Sequence, residues 1–86
     1  MKTFNDLNAN EISVLKAISL SSKDSGGDFT DFQDTMKLIK DMTKQQVKGY
    51  LSQLTQKGYV SVEEGTNNPM ICAGKYVNYL THYIFN

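Results

Sequence analysis

The chain has few side chains that can make or break covalent bonds. Its single cysteine, Cys72, and its single histidine, His82, lie ten positions apart in a segment of strand-like composition. No third group is evident to orient them as a nucleophile and its base. One Cys and one His also cannot assemble a His/Cys metal site within one chain. We therefore expect no enzymatic activity, no cofactor and no bound metal.

Other groups of catalytic type have simpler explanations. Gly26-Gly27 lacks the Lys-Ser/Thr pair that follows a phosphate-binding loop. Asp24 and Asp28 fit a solvated loop, and Asp31 and Asp34 fit the start of a helix, where negative charge suits the dipole. Hydrogen bonding and charge are therefore what this chain can offer a partner.

The densest set of hydrogen-bonding groups lies between residues 43 and 57. Val47, Leu51 and Leu54 recur there at i, i+4 and i+7, which is one apolar stripe of a helix. One face of the helix is thus predicted to pack in the core and the other to be exposed to solvent. The free face carries amide, hydroxyl and ammonium groups: Gln45, Lys48, Ser52, Gln53 and Gln56.

This segment also has the start and stop signals of a helix. Thr43 followed by Gln46 forms a capping box at the start. Lys57-Gly58 ends the helix, because glycine accepts the left-handed conformation that closes the last turn. Residues 59–63 then alternate with the period of a strand. We predict a helix over about 44–57 followed directly by a strand.

A second capped helix precedes it, over about residues 31–40. Thr30 is the predicted N-cap, with Gln33 three residues later. Only Asp41-Met42 then separates the two helices, which favours a helix-turn-helix over a hairpin of parallel-packed helices. The predicted buried stripe is Phe32, Met36 and Ile39.

A first helix is predicted over about residues 9–21, with Asn8 and Glu11 as its capping box. Its apolar residues are too widely spread to be buried by one partner, so the helix is either central or also contacts another chain. Residues 21–27 are a loop by composition, and Asp28-Phe29 is predicted as a short strand. The spread residues are Ile12, Val14, Leu15, Ala17, Ile18 and Leu20.

Residues 64–69 are turn formers that suit the tip of a two-stranded wing. The returning strand is predicted at about 75–81 on its β composition, with residues 70–73 as an earlier start in the same hairpin. Residues 76–84 also fit one helical face, so strand and helix both stay open. Residues 1–86 are thus predicted to form one small α+β domain: helix, short strand, helix-turn-helix and wing.

Residues 47–60, VKGYLSQLTQKGYV, resemble the recognition helix and first wing strand of MarR-type winged-helix regulators. These proteins show a similar V-x-x-x-L-x-x-L-x-x-K-G-hydrophobic-V run. The resemblance implies a winged helix of bacterial or phage type that regulates transcription, with helix 44–57 in the major groove of double-stranded DNA. Carried over residue by residue, it places DNA contacts at Thr43, Lys44, Gln45, Gln46, Lys48 and Gly49. Ser52, on the same free face, completes the predicted reading surface.

The charge is unevenly distributed along the chain. Nine Lys balance nine acidic residues, but residues 1–34 carry −3, residues 35–60 carry +4 and residues 61–86 carry −1. Lys40, Lys44 and Lys48 can thus approach phosphates. The alternative, which the sequence leaves open, is that these lysines only keep a small domain soluble.

Two features depart from the resemblance. The chain contains no Arg, so base reading falls to Gln45, Gln46 or Lys48, and Gln pairs bidentately with adenine. The wing carries Glu63 and Glu64 and is a poor phosphate clamp. The alternatives are therefore a weak DNA reader that works as a dimer, and a winged helix that binds a protein partner.

A homodimer would use the first helix and the aromatic tail Tyr76, Tyr79, Tyr83 and Phe85, although these residues can equally fill the core. No apolar run approaches the ~18 residues of a membrane span, and no signal sequence is evident. We expect no membrane association and a cytoplasmic location, since a lone cysteine is unusual in small secreted chains.

Overall fold

The part of the chain that the structure describes folds as three α-helices and a three-stranded antiparallel sheet. The computed structural model describes residues 7–24, 29–63, 65 and 67–72. The predicted α+β class is confirmed. In chain order the elements are α1 (Ala9–Asp24), β1 (Phe29–Asp31), α2 (Phe32–Lys37), α3 (Lys44–Gln56), β2 (Ser61–Val62) and β3 (Met70–Cys72).

Strand β3 lies in the middle of the sheet, between β1 and β2. Ile71 of β3 is opposite Thr30 of β1 and Val62 of β2, and Cys72 is opposite Phe29 and Ser61. Because successive residues of a strand point to opposite faces, the Ile71 layer faces the core and the Cys72 layer faces outward. Thr30 and Ile71 are accordingly buried, whereas Phe29, Ser61 and Cys72 are exposed.

Helix α1 is the centre of the fold. It lies against α2, α3 and β1, and Val14, Leu15 and Ile18 are fully buried. The wide apolar arc of this helix is therefore used within the chain, which is one of the two arrangements that the sequence left open. Leu20, at 44% exposed, is the large apolar side chain that remains at its surface.

The end of α1 differs from its prediction, because the helix continues to Asp24 instead of ending near residue 21. Composition predicts a loop at Ser21 and Ser22, yet both are buried helical residues. The Ser22 hydroxyl donates to the Ile18 carbonyl at 2.7 Å, and the Ser21 hydroxyl hydrogen-bonds to the Thr30 hydroxyl. Since these bonds satisfy the hydroxyls, the serines can pack inside the fold.

Helix α2 is shorter than the predicted 31–40, and its N-cap is different. The Asp31 carboxylate accepts the Asp34 N–H at 2.8 Å, so Asp31 is the cap and the predicted cap Thr30 belongs to β1. At the other end, the Leu38 N–H donates to the Thr35 carbonyl at 3.1 Å. Such an i→i−3 bond tightens and ends a helix, so the connection to α3 runs over residues 38–43 and not only Asp41-Met42.

Helix α3 begins and ends as its sequence predicts. The Thr43 side chain accepts the Gln46 N–H, and the Gln46 side chain accepts the Thr43 N–H, which confirms the capping box. Gly58 has φ +83°. The Gly58 N–H donates to the Thr55 carbonyl, and the Tyr59 N–H donates to the Leu54 carbonyl. This pair of bonds is a Schellman motif, which explains the glycine.

The hairpin after α3 is shorter than predicted. Strand β2 covers only Ser61–Val62 of the predicted 59–63, since the Tyr59 N–H is engaged by the helix end. The returning strand is Met70–Cys72, which lies in the segment 70–73 that the sequence offers as an earlier start of this strand. The predicted strand at 75–81, and the question of strand or helix in the tail, lie outside the described residues.

Candidate functional site

The residues predicted to bind lie together on the exposed side of α3 and its N-cap. The opposite side of the helix is held in the core by Val47, Leu51 and Leu54, of which Val47 and Leu54 are fully buried. This packing fixes the orientation of the helix in the molecule. The candidate residues are all exposed: Thr43, Lys44, Gln45, Gln46, Lys48, Gly49 and Ser52.

Two of these residues also hold the helix end. The Oε1 atom of Gln46 accepts the Thr43 N–H at 2.9 Å, and the Thr43 Oγ1 atom accepts the Gln46 N–H at 3.2 Å. The amide of Gln46 is therefore oriented by the cap. Gln45, next to it, is an exposed amide whose side chain is not part of this capping box.

Gly49 occupies open space in the middle of the exposed side. Apart from its neighbours in the chain and the backbone of α3 itself, no atom of the described residues lies within 4 Å of the position that a Cβ would take there. A glycine inside a helix costs about 1 kcal/mol relative to alanine. The close approach of another helix among the described residues therefore does not explain the glycine.

Lys48 lies at the edge of this surface, where its Nζ atom is 5.7 Å from the centre of the Phe32 ring. This geometry is a cation–π contact. It directs Lys48 toward a groove of about 490 Å³ between α3 and the β2–β3 hairpin. The groove is lined by Phe32, Lys48, Leu51, Ser52, Thr55, Gln56, Val62, Glu63, Gly65 and Pro69.

The hairpin is positioned beside α3 by the N-terminus of α2. The Phe32 N–H donates to the Pro69 carbonyl at 3.0 Å, and the Gln33 N–H donates to the Asn68 Oδ1 atom at 2.8 Å. Together with the Asp31 cap, these bonds satisfy the first N–H groups of α2, which a helix cannot satisfy internally. Asn68, which the sequence placed at a free wing tip, is thus a structural residue.

Two lysines of the basic segment 35–60 are paired with acidic residues. The Lys57 Nζ atom lies 3.2 and 3.0 Å from the two carboxylate oxygens of Glu11, which is 1% exposed. Lys37 lies 3.2 Å from Asp34 on the surface of α2. Lys40, Lys44 and Lys48 are exposed and are the cations best placed for an external partner.

A second exposed surface lies on the outer face of the sheet. Phe29 is 45% and Met70 is 42% exposed. The exposed Cys72 lies opposite Phe29 in the register of β1 and β3. Phe29, Met70 and Cys72 form an apolar patch on this face beside the polar Ser61 and Asp31, in contrast to the polar face of α3. Sequence periodicity could not identify it, because it requires the pairing of strands that are far apart in the chain.

Groups with catalytic potential are sparse in the described part of the chain. Within residues 7–24, 29–63, 65 and 67–72, no group of three His, Cys, Asp or Glu side chains is arranged to hold a metal ion. Over the same residues, no helix has the length and apolar character needed to cross a bilayer. His82 lies outside the described residues, as does the aromatic tail.

Comparison with known proteins gives no match. No family model, curated protein or solved structure is similar to this chain at a significant level. A function for the chain must therefore be argued from its own residues and their geometry.

Proposed function

We propose that this protein is a DNA-binding transcriptional regulator built as a winged helix-turn-helix, with α3 as the recognition helix in the major groove. The observation that carries the proposal is the exposed side of α3. It presents amides, a hydroxyl, lysines and a glycine with open space above it, on a helix whose other side is fixed in the core. A rigid helix with a projecting polar face suits insertion into a groove that admits an α-helix.

The arrangement around α3 supports the same proposal. The preceding helix α2 and the following β2–β3 hairpin correspond to the first helix of a helix-turn-helix and to a wing. The wing is short, and Asn68 and Pro69 in its connecting loop accept hydrogen bonds from the N-terminus of α2. On this interpretation, α3 contacts bases while neighbouring elements contact the sugar-phosphate backbone.

Affinity in this proposal comes from few cations. Lys44 and Lys48, both on α3, would contact phosphates, whereas Lys57 is paired with the buried Glu11. Each phosphate contact releases counterions and contributes about 0.9 to the slope of log affinity against log salt. We therefore propose modest affinity per copy of the chain, which a homodimer on two half-sites would increase.

The test is fluorescence-anisotropy binding of the full chain to mixed-sequence duplex DNA across a salt series. The wild type should bind at low salt and lose affinity as salt rises. The double variant Gln45→Ala/Lys48→Ala should lose binding, with a change in folding stability of no more than about 1 kcal/mol from the lost Lys48–Phe32 contact. Gln33→Ala, an exposed Gln on α2, is the matched control and should bind like the wild type.

Two results would contradict the proposal. Absence of binding even at low salt would exclude DNA as the partner. Unchanged binding by the Gln45→Ala/Lys48→Ala variant would mean that DNA meets another surface.

A second candidate function is a winged helix that binds a protein. The observation that favours it is the apolar patch on the outer face of the sheet, with Phe29 and Met70 nearly half exposed. Such a partner would bind with weak salt dependence, because burial of apolar surface is little affected by screening. Phe29→Ser should then abolish binding to that partner while leaving DNA binding intact.

A further inference from the structure

The side of α3 that points directly away from the core is uncharged. At about 100° per residue, the positions opposite the buried Val47, Leu51 and Leu54 form one stripe along the helix. We call this set the outward stripe, and every member is exposed. It consists of Gln45, Gly49, Ser52, Gln53 and Gln56.

The chemistry of this stripe favours one base. A glutamine amide places a donor beside an acceptor, which matches N7 and N6–H₂ of adenine in the major groove. Guanine presents two acceptors there and is normally read by Arg or Lys, but the chain has no Arg. Lys48 is directed toward Phe32 at the edge of the helix, away from the centre of the stripe.

The structure also separates the glutamines of α3. The Gln46 Oε1 atom is engaged in the capping box, so Gln46 is a poor candidate for a bidentate base contact. Gln45 and Gln53 lie on either side of Gly49, each four residues away along the helix. Because a Cβ at Gly49 would meet no atom of another described element, the helix backbone can come close to the bases between these two amides.

From these observations we infer that the protein binds DNA sites defined by adenines, with Gln45 and Gln53 as the residues that determine specificity. The inference rests on the proposed DNA binding and adds the base that is read. The two glutamines are separated by about 12 Å along the helix axis, at about 1.5 Å per residue. That distance corresponds to about three to four base steps of ~3.4 Å, so two adenine positions at this spacing are expected.

The experiment starts with selection of binding sites by the full chain from duplexes with a randomised centre. The selected site is then synthesised with 7-deazaadenine, which keeps Watson–Crick pairing but removes the N7 acceptor. We expect affinity to fall about tenfold at the contacted adenines, since one good bidentate contact gives discrimination of this order. 7-Deazaguanine in the same duplex should leave affinity unchanged.

A protein variant tests the same contact from the other side. Gln45→Glu has the same shape but loses the NH₂ donor, so adenine binding should fall about tenfold and the preference should move toward cytosine, whose N4–H₂ donates to a carboxylate. Gln33→Glu on α2 makes the same change in charge outside the outward stripe and is the matched control. Thermal melts of both variants establish that each is folded.

The outcomes separate this inference from the proposal on which it rests. Selected sites without adenine, or affinity that is unaffected by 7-deazaadenine, would overturn the adenine inference while DNA binding itself stands. Absence of DNA binding at any salt concentration would overturn both.

Discussion

A side chain at Gly49 should favour folding but disfavour the proposed DNA binding. A glycine in a helix interior is destabilising, and here the space for a side chain is open. Gly49→Ala should therefore stabilise the fold by about 1 kcal/mol, which for a domain of this size raises Tm by about 4–8 °C. If the helix backbone meets DNA, the same methyl group should weaken binding. Thermal denaturation and anisotropy binding measure the two effects on one variant.

Gly58→Ala is the control for this prediction. Gly58 has φ +83°, a conformation in which a side chain is strained, so this variant should lose stability. A fall in Tm for Gly49→Ala would contradict the open space at position 49. Unchanged DNA affinity would show that the partner does not approach the backbone there.

Asp31 and Gln33 distinguish the observed start of α2 from the predicted one. Because Asp31 caps the helix, Asp31→Ala should cost about 1 kcal/mol of stability, whereas Asp31→Asn should cost little. Gln33→Ala should be nearly neutral, although it would remove a capping partner if Thr30 were the cap. Urea denaturation of the three variants checks this, and a large loss in Gln33→Ala would support the original prediction.

At the scale of elements, the Glu11–Lys57 pair joins the first turn of α1 to the end of α3. Glu11 also accepts the Asn8 N–H at 3.0 Å, so one carboxylate caps α1 and holds α3. Lys57→Met should destabilise the fold by about 3 kcal/mol, because it leaves a buried carboxylate without its cation. The midpoint of urea denaturation gives the loss.

The double variant Glu11→Gln/Lys57→Met provides the matched comparison. It carries no charge at this pair, and the amide oxygen of Gln can still accept the Asn8 N–H. It should therefore recover much of the stability lost in Lys57→Met. A double variant that is less stable than Lys57→Met would contradict this explanation and assign the stabilisation to the charges themselves.

At this scale, the sequence predicts features that depend on neighbouring residues and misses those that depend on residues distant in the chain. The capping box of Thr43 and Gln46, the buried stripe of Val47, Leu51 and Leu54 and the turn at Gly58 depend on residues within a few positions, so their types and spacing indicate them. Local spacing also predicts Thr30 as the cap of α2, and this prediction is wrong. Thr30 belongs to β1, and that strand is specified only by its partner Ile71, which is distant in the sequence.

Long-range contacts were out of reach for the same physical reason. The bond from the Gln33 N–H to Asn68 joins residues 35 positions apart, and the Glu11–Lys57 pair joins residues 46 positions apart. Nothing in the local sequence of either partner specifies the other. The types of the exposed residues on α3 are therefore predictable from the sequence, whereas the groove beside them and the ion pair of Lys57 with Glu11 are not.

At the scale of the whole molecule, the distribution of charge predicts how DNA binding depends on salt. The chain has a net charge of zero, so general attraction to DNA should be weak and the proposed binding would depend on the lysines of one surface. If Lys44 and Lys48 each contact a phosphate, a monomer should show a slope of about −2 in log affinity against log salt, and a dimer about −4. Between 50 and 200 mM salt these slopes correspond to losses of about tenfold and about a hundredfold.

The slope and the mass in solution together show whether a monomer or a dimer binds DNA. We expect light scattering to give twice the 9.7 kDa of one chain when the slope is near −4, and a single chain when it is near −2. Lys44→Ala/Lys48→Ala should make the slope less negative by about 2 per bound copy, whereas Lys23→Ala on α1 should not change it. A slope that is unaffected by the double variant would exclude these lysines as phosphate contacts, and α3 would then not lie in the groove as proposed.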